Sequence, residues 1–242
     1  MQPLLETHSI EDRANQIVQE YEDFAYIVSH DLNAPLRHVR EFTRLLVGNR
    51  KGHLTEEEQQ YVEFLELSLT KLDDMQRALL TFSRLNTRAG EPVNIDLNET
   101  LSKTLKDLAT PIQKYQPVIE YKDLPIIVAE PKQIELLFFH LLDNAIKFHD
   151  ETSPERQILV TAMDQGDTWL FEIKDNGIGI DQKYHEDVFR LFRRLEPEKY
   201  PGIGAGLTIA HKIIQRHGGE MLIESVPNQG TSVFFSIEKP QL

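Results

Sequence analysis

From Ile10 to about Asn86 the apolar residues recur at steps of three and four, and almost nothing there alternates at the spacing of a strand. Ile17, Tyr21, Phe24, Val28, Leu32, Pro35, Val39, Phe42 and Leu46 form one stripe of a long helix. Gly48-Asn49-Arg50-Lys51-Gly52-His53 places glycines where that helix would stop. Thr55 followed by Glu58 is a capping-box start for a second long helix. Its stripe is Tyr61 or Val62, Leu65, Leu69, Leu72, Met75, Leu79 and Phe82. Two amphipathic helices joined by a short loop make a hairpin, and one hairpin alone leaves its apolar face in water. Pairing two hairpins into a four-helix bundle removes the problem, so this part of the chain predicts a homodimer.

After Ala89-Gly90-Glu91-Pro92 the texture changes. Strand-like runs are expected at Val93–Leu97, Val118–Tyr121, Ile126–Val128, Gln157–Met163, Trp169–Lys174, Glu220–Ser225 and Ser232–Glu238. Helices are expected near 98–114, 131–148, 183–194 and 205–217, covering one layer of sheet. The predicted fold is therefore an all-α helical hairpin over 1–89, followed by an α/β sandwich over 90–242. The 26 Lys and Arg against 39 Asp and Glu give a net charge of −13. A chain this acidic repels nucleic acid, and its basic residues cluster no more densely than the pair Arg193-Arg194. The absence of cysteine excludes a disulfide scaffold, a thiol nucleophile and a thiolate zinc site. No apolar run reaches the ~18–20 residues of a membrane span, and Met1–Gln16 lacks the pattern of a signal peptide. A cytoplasmic protein, or the cytoplasmic portion of a larger one, is expected.

The helix predicted over 131–148 buries Ile134, Leu137, Phe138, Leu141, Ala145 and Phe148. His140, Asn144 and Lys147 then share one flank, at i, i+4 and i+7. An amide oxygen beside an ammonium suits a magnesium ion and a polyphosphate, although boundary residues of any half-buried helix look the same. Two glycine motifs follow. Asp175-Asn176-Gly177-Ile178-Gly179-Ile180 succeeds a strand-like run, where glycines permit close approach of a flat ligand and a buried carboxylate would accept from an exocyclic amine. Gly202-Ile203-Gly204-Ala205-Gly206-Leu207 opens a helix whose first N–H groups point at any anion placed there. No Gly-Lys-Ser/Thr is present in it, so this is not a Walker-type loop.

In this order, these segments resemble the ATP-binding domain of sensor histidine kinases, within the superfamily shared with type II topoisomerases, Hsp90 and the mismatch-repair ATPases. The resemblance implies the histidine kinase/Hsp90-like sandwich, with ATP and Mg2+ as cofactors. It makes the Asn144 segment the N box, Asp175-Gly177-Gly179 the G1 box, Val188-Phe189-Arg190-Leu191-Phe192 the F box and Gly202-Gly204-Gly206 the G2 box. Gly230-Thr231 matches the turn before the last strand. It further implies that Asn144 holds magnesium, Lys147 contacts phosphate, Asp175 reads the adenine amine and Phe148 lines the base pocket. Ile180, Leu207 and Thr231 complete the nucleotide contacts, and Arg193 to Pro201 is implied to be a mobile lid. Ile203 stands where a threonine is common. His140 stands where the ATPase branch has a glutamate and kinases more often an asparagine. It reads as a replacement metal ligand, a water-mediated contact or a flanking side chain.

The acceptor implied by the same resemblance lies in the first domain. Phe24-Ala25-Tyr26-Ile27-Val28-Ser29-His30-Asp31-Leu32-Asn33-Ala34-Pro35-Leu36-Arg37 resembles the H box of the phytochrome-type and PAS-linked kinases. Tyr200-Pro201-Gly202 and Arg216-His217-Gly218-Gly219 point to the same groups. Helical phase puts His30 roughly 120° from the centre of the apolar stripe, exposed on the bundle side. Its imidazole would capture the γ-phosphoryl group, with Asp31 orienting or deprotonating the ring, before transfer to the receiver domain of a response regulator. Pro35 removes the hydrogen bond to the carbonyl of Asp31 and softens the helix there. Ala34 occupies the place of the water-positioning Thr or Asn of phosphatase-competent relatives, and an alanine holds no water. An upstream or partner sensor would supply the input. Two other readings stay open: a superfamily ATPase without phosphohistidine, and an inactive scaffold that binds nucleotide or a receiver.

Overall fold

The computed structural model describes residues 32, 35–45, 47–48, 54–87, 90–149 and 155–240. His30 and Asp31 lie outside these residues, as do Ile17, Tyr21, Phe24 and Val28 of the first helical stripe. The chain divides into two compact units, Met1–Thr87 and Arg88–Leu242.

In the first unit, residues 35–45 are helical, and a 32-residue helix α1 runs over Glu56–Thr87. The capping box forms as its sequence predicts. Glu58 N–H donates to Thr55 Oγ1 at 3.2 Å and Thr55 N–H donates to Glu58 Oε2 at 2.8 Å. Glu56, Glu57 and Glu58 favour this end of the helix dipole. The guanidinium of Arg40 pairs with Asp73 and ties the two helical segments together. Of the second stripe, Leu69 is buried, while Tyr61, Leu65 and Leu72 are exposed. Phe42, Phe64 and Leu67 are exposed as well.

The second unit is built from strands β1 (Val93–Asp96), β2 (Val118–Tyr121), β3 (Ile126–Ala129), β4 (Gln157–Asp164), β5 (Thr168–Asp175), β6 (Met221–Val226) and β7 (Gly230–Glu238). Its helices are α2 (Leu97–Asp107), α3 (Ala109–Tyr115), α4 (Pro131–Lys147) and α5 (Gly206–Arg216). Five strands form one sheet in the order β2-β4-β5-β7-β6, parallel between β2 and β4 and antiparallel elsewhere. Where the sequence suggests a single sheet, β1 and β3 instead make a separate antiparallel pair. The sheet's burial alternates, as expected for one covered and one wet face. On the covered face Phe171 and Phe235 stack with centroids 5.0 Å apart, and Phe138 of α4 meets Phe235 edge-on at 6.3 Å.

Two helical expectations are corrected. The stretch 98–114 is two helices, because the chain bends at Leu108 (φ −89, ψ 14) before α3 starts. The expected helix over 183–194 is two short 3-10 turns, Gln182–Tyr184 and Asp187–Phe189, followed by irregular turns. Its apolar spacing imitates a helix, but Phe192 sits at φ 65 and spends its N–H on Gly204 O at 2.7 Å, a partner outside any helix ladder.

Two hairpin turns differ in their surroundings. Between β4 and β5, Gly166 (φ +84) has open space around it. Between β6 and β7, Asn228 N–H donates to Ile178 O at 2.7 Å, so this turn is tied to the Asp175–Ile180 segment.

Candidate nucleotide site

Helix α4 begins with Pro131 in its first turn and Glu130 as N-cap, whose carboxylate accepts from Lys132 N and Gln133 N. From that fixed start, His140, Asn144 and Lys147 emerge half-buried along one flank. The Asn144 carboxamide has no hydrogen-bond partner among the described residues. Lys147 Nζ lies 3.7 Å from Asp143 and 5.1 Å from the centre of the Phe148 ring. Gly202 faces this ammonium, and a Cβ there would come within 2.9 Å of Nζ. The imidazole of His140 lies against Gly206, and its Nε2 is buried without a partner among the described residues. Burial and then the charge of Lys147 push its pKa down to about 4, so the ring is neutral.

Phe148 ends α4, and its carbonyl accepts from Ile178 N at 3.0 Å, joining the helix to the first glycine segment. Its ring meets Tyr200 edge-on at 5.1 Å. The turn after β5 is shaped by Asp175, whose Oδ1 accepts from Gly177 N at 2.8 Å and Thr231 N at 3.2 Å. Among the described residues both bonds converge on Oδ1, leaving Oδ2 for a ligand. Burial raises the Asp175 pKa to about 6, with the two N–H groups acting in the other direction. Gly179, at φ +67, passes so close to Val226 that a Cβ would sit 2.0 Å from its carbonyl oxygen. Ile180 follows, half-buried, with its N–H on Ser225 Oγ at 2.7 Å.

The second glycine segment leads into α5 through Ala205, which offers no side-chain cap to the first turn. Leu207 is half-buried in that turn, and Thr208 Oγ1 donates to Phe189 O at 2.8 Å. The residues from Arg193 to Pro201 form turns held by Arg194, whose guanidinium donates to the carbonyls of Pro197 and Tyr200. All the expected positions of the second unit thus converge on the end of α4, the Asp175 turn and the start of α5.

The contacts of three residues escape the sequence reading. Tyr200 supplies the ring against Phe148. Asn176 clamps the Asp175 turn to β4, accepting from Gln157 N and donating to Glu155 O, each at 2.8 Å. Ser225 binds Ile180, Gly230 and Thr231 at once. Only strand register, which a single sequence does not display, brings Ser225 to Thr231 and so into one row with Asp175.

Comparison with known proteins gives the family of each unit. Residues 129–241 match the family model for histidine kinase-, DNA gyrase B- and HSP90-like ATPases, which defines the class of the second unit. Residues 10–88 match the His Kinase A phospho-acceptor domain. The chain therefore belongs to the sensor histidine kinases and comprises their catalytic core. Phytochrome-like protein Cph1 of Synechocystis sp. is 34% identical over 215 residues, which is 88% of this chain and 28% of Cph1. Cyanobacterial phytochrome B of Nostoc sp. is 34% identical over 231 residues, 94% of this chain and 30% of that protein. The chain thus spans less than a third of these relatives. Full-length ShkA, solved in complex with AMPPNP, shares the fold with a TM-score of 0.68 at 23% identity, covering 91% of this chain and 47% of that one.

Proposed function

We propose that this chain transfers the γ-phosphoryl group of ATP to His30 and then to an aspartate of a response-regulator receiver domain. In this reading 1–89 is the dimerising phospho-acceptor hairpin and 90–242 the ATP-binding catalytic domain. The observation that carries it is the meeting of Asp175, Phe148, Lys147 and both glycine segments around one site, in a chain that also holds a phospho-acceptor region. The carboxylate of Asp175 accepts from the adenine amine, Phe148 flanks the base, and Lys147 and the first turn of α5 meet the phosphates. Gly177, Gly179, Ile180, Gly202, Gly204, Gly206, Leu207 and Thr231 shape the cradle.

The donors present suit magnesium. The Asn144 oxygen is a hard ligand without a protein partner, and no group of three or more His, Cys, Asp or Glu forms a cage among the described residues. Asn144 would hold the ion, with the neutral His140 as second candidate, and the ion would neutralise phosphate charge. In the transfer, an imidazole nitrogen of His30 forms a bond to the γ-phosphorus while the bond to the β–γ bridging oxygen breaks. ADP leaves, and Asp31 takes up the ring proton.

Exposed Phe42, Phe64, Leu65, Leu67 and Leu72 support pairing with a second copy. A sensor, upstream or on a partner, supplies the input. No helix among the described residues is long and apolar enough to cross a membrane. The proposed reaction is a cytoplasmic one. Incubation with γ-labelled ATP tests the proposal. Acid-labile, base-stable label is expected on the wild type and lost in His30→Gln and Asn144→Ala. Label that persists in His30→Gln overturns the acceptor assignment, and steady phosphate release without label favours a plain ATPase.

A further inference from the structure

The last row of side chains on the covered face of the sheet is polar. Ser225 of β6 pairs with Thr231 of β7, and Thr231 pairs with Asp175 of β5, so the three stand side by side across three strands. The rows behind it are apolar: Ile223, Val233 and Ile173 are all buried. The hydrophobic core therefore ends in a strip of two hydroxyls and a carboxylate where the ligand's base would lie.

Donor and acceptor counting fixes how those hydroxyls point. Ser225 Oγ lies 2.9 Å from Gly230 O, 2.7 Å from Ile180 N and 2.8 Å from Thr231 Oγ1. A serine hydroxyl has one hydrogen and two lone pairs. The Gly230 carbonyl has no hydrogen to give, so the one between these oxygens comes from Ser225. The Ile180 amide gives its own hydrogen and fills one lone pair. Only the second lone pair is left for Thr231, which must donate. With its hydrogen spent on Ser225, the Thr231 hydroxyl turns lone pairs toward the site, beside the carboxylate of Asp175.

We propose that Ser225 is a specificity-determining residue: by fixing the polarity of the Thr231 hydroxyl it gives the site two adjacent acceptors, which receive a 6-amino purine and repel a 6-oxo purine. This rests on the nucleotide reading given above and adds to it a residue that acts through Thr231. Inverting the hydroxyl would offer a 6-oxo group a donor, and Ser225 forbids the inversion. A site that hydrogen-bonds one group discriminates strongly against its mismatch because the mismatch leaves buried polar atoms unpaired.

The test is the ratio of IDP to ADP dissociation constants, measured calorimetrically on the whole chain at mildly alkaline pH. Ser225→Ala frees Thr231 to rotate, and the ratio is expected to narrow roughly five- to tenfold. Ser225→Thr, which keeps the hydroxyl, is expected to keep the wild-type ratio. Thr231→Val narrows the ratio by itself, and adding Ser225→Ala to it changes the ratio no further. A merely structural Ser225 would weaken both ligands equally, and an unmoved ratio in Ser225→Ala overturns the inference while leaving the nucleotide site intact. A wild-type chain that binds neither ADP nor IDP overturns both.

Discussion

The two units solve the burial problem in opposite ways. In the second, Phe138, Phe171 and Phe235 are 1%, 0% and 1% exposed, enclosed by one chain's own helices and sheet. In the first, Phe42, Phe64 and Leu67 are 64%, 71% and 70% exposed. The same residue types are thus structural completion in one unit and unmet demand in the other. A nucleotide pocket must hold its groups in fixed geometry before the ligand arrives, which favours a core closed within the chain. A phospho-acceptor hairpin needs an accessible histidine, and in the proposed dimer a seam shared between copies would leave its outer surfaces free.

Paired substitutions expose the contrast most strongly. Phe138→Ala should destabilise the second unit by about 3–5 kcal/mol, seen in denaturant unfolding followed by the chain's single tryptophan, Trp169. Phe64→Ala should leave that transition within about 0.5 kcal/mol and instead weaken self-association in sedimentation. Equal effects on the Trp169 transition would end the distinction. Glycines make the next comparison. Gly179→Ala meets the Val226 carbonyl at 2.0 Å and should lower ADP affinity by roughly tenfold or more, whereas Gly48→Ala, in open helical surroundings, should stabilise its helix by up to about 1 kcal/mol. Calorimetry and far-UV circular dichroism read the two outcomes.

Asp175 gives the second unit a pH dependence with a definite sign. Its folded pKa of about 6 lies above the ordinary 3.8, so the folded state holds the proton more tightly than the unfolded one. Its contribution to stability is full below about pH 3.8 and fades as pH rises through 6. Unliganded wild type should therefore lose on the order of 3 kcal/mol across that window relative to Asp175→Asn, which should lack this term. ADP affinity should run the other way, strengthening above pH 6 as the carboxylate forms. Thermal melts and titrations over the same pH series check both slopes. The smallest effect is expected from Arg40→Ala, because its pair with Asp73 is partly exposed; a loss below about 1 kcal/mol in the first unit's helical transition is anticipated.

The second unit's glycine segments were legible because each glycine answers a local demand. The positive φ of Gly179, Gly202 and Gly204 is such a demand, and it leaves its mark in the sequence itself. The capping box of α1 was legible for the same reason, since its reciprocal bonds span only three residues. The 183–194 segment misled because Val188, Phe189, Leu191 and Phe192 keep helical spacing, while the deciding bond runs from Phe192 to distant Gly204. Ser225 was hidden by the same kind of distance. Its meaning comes from β6 lying beside β7 and β7 beside β5, a relation fixed by tertiary packing. His30 and Asp31 rest on likeness to the H box.

The turn joining β6 and β7 looks from its sequence, Pro227-Asn228-Gln229, like a spare surface loop suited to carrying a reporter insertion. Its backbone bond to Ile178 makes it a buttress of the pocket wall, so cargo grafted there would be felt by the ligand. The turn at Gly166 has no such duty and is the better port for a fluorescent or affinity tag.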